Sequence, residues 1–143
     1  MVSSTPSPRV VPDGIIAHRT SVRTKGGLVA SGLALGMALV GLVLVGLPGS
    51  LFGAIGFLII VVALPTLPMF GVPAVSGTTV YLLATTTSIG LWFALGHVSA
   101  VRATRRAVSG WREWRREFRP LAIGVWLGAV IALAVAALIL GAL

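Results

Sequence analysis

The chain contains no cysteine and only two histidines, His18 and His97. The first absence excludes disulfides, thiolate metal sites and thiol nucleophiles. Two isolated imidazoles without neighbouring carboxylates do not build a zinc or haem site, so no metal and no cofactor are expected. Acidic residues are almost as scarce, with 3 Asp+Glu against 11 Lys+Arg. Charged residues make up 10 % of the chain, where soluble domains carry about 25 %. Not one Asp, Glu, Lys or Arg lies between Lys25 and Arg102, and none follows Arg119. Ion-coupled transport needs ionisable groups inside the membrane. Hydrolases and transferases need a base beside their nucleophile. Neither is supplied here, and the chain is not expected to be an enzyme.

What the sequence has in quantity is apolar length. Hydrophobic residues are 57 % of the chain and the mean hydropathy is +1.04. A membrane crossing takes roughly 20 apolar residues. The expected fold class is all-α: an integral membrane protein, a compact bundle of four transmembrane helices. Residues 1–27 read as a disordered basic tail, rich in Ser, Thr and Pro with a Pro12-Asp13-Gly14 turn. Residues 28–96 hold three hydrophobic segments, at about 28–47, 51–70 and 74–96. A basic amphipathic interfacial helix over 97–120 precedes the fourth span, 121–143. No polar piece is long enough for a core of its own. The abundance of Ala, Gly and Val, with Lys25 the single lysine, reads as the coding bias of a GC-rich prokaryote. A multi-pass protein of the cell membrane is the expected localisation.

Charge bias and span count pull against each other. Arg9, Arg19, Arg23 and Lys25 precede the first span, and a cluster of arginines lies between the third and fourth. The positive-inside rule wants both groups in the cytoplasm, which three intervening crossings forbid. One resolution keeps four full spans and leaves the N-terminus outside, opposite a cytoplasmic arginine loop. The other makes 51–71 re-entrant, since the apolar run before Pro65 is short for a crossing. The four-span arrangement is the favoured expectation.

Three constellations stand out. Gly124, Gly128, Ala132 and Ala136 recur every four residues, a spacing that lets helix backbones approach closely in lipid. Gly27, Ser31, Ala34, Ala38 and Gly41 form a second such seam, with Gly32/Gly36 and Gly49/Gly53 as further pairs. Either seam serves a partner helix or the chain's own bundle. In the third span Thr78, Tyr81, Thr85, Ser88 and Trp92 share a face, thickened by Thr79, Thr86 and Thr87. Such a stripe lines a polar path, or bonds to carbonyls one turn back and to a neighbouring helix. The third constellation is basic. On a helical projection Trp111, Trp114 and Phe118 lie on one face, with Arg102, Arg105, Arg112, Arg116 and Arg119 opposite and Arg115 in the same block. Aromatics facing away from cations suit an interface, with indoles at headgroup level and arginines near phosphates.

These features favour a small polytopic membrane protein acting as a structural or accessory subunit of a membrane complex. The alternative is a homo-oligomeric passive pore, a holin-like permeabiliser or a small transporter component. Expected partners are anionic lipid headgroups and other membrane subunits or further copies of the chain. A segment tethered to the membrane at both ends is badly placed for nucleic acid, and none is expected.

Overall fold

The computed structural model describes residues 14–105 and 109–141. Every regular element among them is helical: α1 (Gly14–Val45), α2 (Ser50–Ala63), a 3-10 turn at Leu67–Phe70, α3 (Thr78–Ala103) and α4 (Trp111–Ile139). Within α1, α3 and α4 run three segments long and apolar enough to cross a membrane, Ile16–Val45, Thr78–Ala103 and Trp111–Ile139. The fourth helix, α2, has 14 residues, about 21 Å at 1.5 Å per residue. That falls short of a hydrocarbon core about 30 Å thick. Among the described residues there are therefore three helices of spanning length and a half-length one, where four spans were expected.

Proline and glycine set the boundaries. α1 has no internal proline and runs unbroken until Gly46, whose N–H donates to Leu42 and Val43 carbonyls ahead of Pro48. Gly49, at φ 116, supplies the reversal into α2. Pro65 has no N–H to continue α2, and the last helical bond is Leu64 N–H to Ile60 O at 2.7 Å. The expected tail over 1–27 is half replaced by helix, because α1 begins at Gly14; residues 1–13 lie outside the described set. The expected boundary between 97–120 and 121–143 is also absent, as α4 carries Pro120 in its interior. One lost backbone bond is outweighed there by the packing of Phe118 and Ala122 against Ala34 and Trp92. Among the described residues no separate interfacial helix forms over 97–120: α3 continues to Ala103, and the arginine-rich turns from Arg112 are the start of α4.

α1 and α3 lie antiparallel at backbone contact. A Cβ on Gly96 would sit 2.5 Å from Gly26 O, and one on Gly27 would meet Phe93. Further along, Ser31 Oγ donates to Ile89 O at 3.3 Å, and Ala38 packs with Ala84. α2 runs antiparallel to α1 through a second glycine contact, where a Cβ on Gly56 would sit 2.6 Å from Gly41 O. α4 starts where α1 starts, with Trp114 packed beside Val22 and Ala100.

The path of α2 follows from these contacts. It leaves the end of the bundle where α1 stops, and its last residue, Ala63, reaches Ala38 and Trp92. Trp92 lies midway along α3, so α2 halts at mid-depth. The 3-10 turn and Gly71–Val75 then return the chain to the end it came from, beside Ala136 and Leu140 of α4. Residues 50–77 are thus a hairpin that runs halfway along the bundle and comes back. The starts of α1 and α4 and the end of α3 consequently share one end of the bundle.

Candidate functional site

The hydroxyl face of α3 divides in two. Thr78 and Tyr81 are exposed near its start and Thr85 is half-buried, whereas Ser88 and Trp92 are buried. The buried pair faces the broken end of α2. Trp92 Nε1 donates to Ala63 O at 2.7 Å. Thr66 Oγ1 bonds Ala84 O at 2.7 Å and Ser88 Oγ at 2.7 Å, and lies 2.9 Å from Thr87 Oγ1. The Thr66 N–H donates to Ser88 Oγ at 3.3 Å, and Thr87 Oγ1 donates to Leu83 O at 2.7 Å. Backbone groups freed in apolar surroundings need internal partners, and these side chains provide them at the Pro65 break. Thr66 stands outside the periodic stripe, and only its place next to Pro65 marks it in the sequence. Trp92→Phe should remove a buried partner of the Ala63 carbonyl and cost about 1–3 kcal/mol. Thermal unfolding in detergent checks this, with half-exposed Trp126→Phe expected to move the midpoint far less.

At the shared end the aromatics turn inward. Trp114 is 3 % exposed, and its Nε1 donates to Gly96 O at 3.0 Å. Its ring stacks on Phe118 at 4.8 Å and meets Trp111 edge-on at 5.7 Å; Phe118 in turn lies 6.0 Å from Trp92. Trp114, expected among headgroups, is instead a bolt between α4, α1 and α3. Arg102, Arg105, Arg112, Arg115, Arg116 and Arg119 are exposed, as are Arg19, Arg23 and Lys25 of α1. The half-length hairpin brings all of them to one end. His97 is exposed and stacked parallel to Phe93 at 6.2 Å.

The two small-residue seams differ. Gly27, Ser31, Ala34, Ala38 and Gly41 are all buried against α3 and α2. By contrast, a Cβ on Gly124 or Gly128 would meet no atom within 4 Å. Ala132 and Ala136 further along are half-buried, and Ala136 borders the cavity between α4, Phe57 and the Gly71–Val75 return. Gly32 and Gly36 are open as well, in an apolar groove with Leu33, Met37 and Ile59. Among the described residues no group of three or more His, Cys, Asp or Glu side chains comes together to hold a metal ion. No protein-family model, curated protein or solved structure matches the chain.

Proposed function

We propose that the chain is a non-enzymatic, structural or accessory subunit of a cell-membrane complex. On this reading it crosses the membrane three times, and its basic end rests on anionic lipid headgroups. The observation that carries the proposal is the contrast between the seams. One is consumed inside the bundle, while Gly124 and Gly128 leave the outer face of α4 smooth and unfilled. In lipid, association is driven by close van der Waals packing, which such a face permits. A passive pore has less support. Within that stripe Ser88 is buried and engaged with Thr66, and the adjoining Thr87 is engaged with Thr66 and backbone carbonyls.

Gly128→Leu tests the reading. A bulky side chain at a close helix contact costs about 1–3 kcal/mol, so association should weaken by about fivefold or more. The native mass after mild extraction should fall while the protein stays in the membrane fraction. Gly36→Leu, on the open face of α1, is the comparison. If the assembly survives Gly128→Leu, α4 is not the docking face. If the intact assembly contains only copies of this chain, the pore alternative takes precedence.

A further inference from the structure

We propose that an apolar groove between α1 and α4 holds an acyl chain of one anionic phospholipid, whose headgroup sits on Arg115 and Arg119. The proposal rests on the membrane reading above and deepens it, from a basic end resting on headgroups to a defined lipid site. The groove has a volume of about 170 Å³ and lies between Ala30 and Ala34 of α1, Trp92 of α3, and Phe118 and Trp126 of α4. Leu33 and Trp126 on its wall are exposed, so it opens to the outside of the bundle. Its lining is aliphatic and aromatic, and the Trp92 indole N–H is already taken by Ala63 O at 2.7 Å. Water finds few partners in such a space, whereas a hydrocarbon chain needs none.

What fills the groove follows from the charge above it. Arg119 and Arg115 precede Trp126 by about two and three helical turns, on the same face of α4. Both are exposed. α1 and α4 start at the same end of the bundle, so these cations lie on the headgroup side of the groove. They border a cleft with Arg112 and Arg116, where the single lining carboxylate, Glu113, is engaged with the Gly110 N–H at 3.0 Å. The cleft is therefore cationic and complements a phosphodiester. A ligand that joins it to the groove is anionic at one end and hydrocarbon at the other.

A second groove points to a lipid with two chains. Leu33 and Met37 line both the α1–α4 groove and the apolar groove with Gly32, Gly36 and Ile59, and form the ridge between them. Lys25 precedes Gly32 and Gly36 by about two and three turns on one face of α1, so a cation stands above this groove as well. One phospholipid straddles the ridge, with a chain on either side and its headgroup between the cations of α4 and α1.

The test titrates the full chain, in maltoside micelles, with phosphatidylglycerol brominated midway along its acyl chains, and reads tryptophan fluorescence. Bromine quenches an indole that it touches, so a chain in the groove reports through Trp126. Saturable quenching is expected, with brominated phosphatidylcholine binding about fivefold or more weaker. Arg115→Gln combined with Arg119→Gln should weaken phosphatidylglycerol binding by about tenfold or more. Arg102→Gln combined with Arg105→Gln removes the same charge at the end of α3, and should weaken it by less than about threefold. Trp126→Phe should remove most of the saturable quenching, and Trp111→Phe, at the headgroup end, little of it. Absence of saturable quenching overturns the proposal and leaves the groove to a partner helix, and quenching undiminished by Trp126→Phe overturns it by placing the chain elsewhere. Equal weakening by the two arginine pairs also overturns it, as diffuse attraction to a basic surface, and leaves the headgroup reading standing. Equal affinity for the two lipids removes the proposal and the anionic-headgroup reading together.

Discussion

Gly96→Leu is expected to abolish the native packing of α1 on α3. A Cβ at this position meets Gly26 O at 2.5 Å, Ala30 Cβ at 2.6 Å and Gly27 Cα at 3.0 Å. Two of these are backbone atoms, which no rotamer change can move. Relief requires the helices to separate, and separation undoes several contacts at once. Ala30 and Ala100 are buried in the same cluster as Trp114, and Trp114 Nε1 bonds the carbonyl of Gly96 itself. Overpacking alone costs about 1–3 kcal/mol, and a stranded indole N–H adds a further cost of about 1–3 kcal/mol. The sum is a large share of the 5–15 kcal/mol typical of a whole domain. A thermal scan in detergent should show a collapsed or missing transition. Gly90→Leu makes the same chemical change on the same helix where a Cβ meets nothing within 4 Å, and should stay within about 0.5 kcal/mol. Equal behaviour of the two variants would show that α1 and α3 are not in backbone contact.

That contact illustrates what a one-dimensional pattern carries. Gly27, Ser31, Ala34, Ala38 and Gly41 mark a helix face meant for close approach, and the face is legible from spacing alone. Which neighbour fills it is not, because Gly124 and Gly128 have the same spacing and nothing against them. The aromatic face of α4 has a similar ambiguity. Trp111, Trp114 and Phe118 lie together as their periodicity implies, yet the pattern is identical whether the face meets lipid or protein. The stripe on α3 left a polar path and hydrogen bonding among helices both open, and the partner of Ser88, Thr66, comes from another element. Hydropathy was least informative over residues 51–70. It sums apolar length and is blind to direction, so a helix that stops at Pro65 and turns back looks like a crossing. The charge bias of the two basic flanks left both a re-entrant 51–71 and four full spans open.

That bias leads to the second prediction, which concerns sidedness. On the proposed three-crossing reading, with α2 turning midway along the bundle, only α1 and α3 cross between Lys25 and Arg102, and two crossings return the chain to its starting side. Arg19, Arg23 and Lys25 therefore share a side with Arg102, Arg105 and the four exposed arginines of α4's first turns. The opposite end of the bundle has no Lys or Arg among its described residues. Such an asymmetry leaves the positive-inside rule a single solution, with the basic end cytoplasmic. The chain has no cysteine, so single-cysteine variants report position without background. Thr20→Cys at the start of α1 and Arg105→Cys after α3, both exposed positions, should resist an impermeant thiol reagent in intact cells and react after permeabilisation. Ser76→Cys, exposed on the return of the hairpin, should react in intact cells. Four full crossings make the opposite demand, since they put Thr20 and Arg105 on different sides. Labelling of one but not the other in intact cells would restore α2 as a span. It would also separate the two basic flanks that the hairpin holds together.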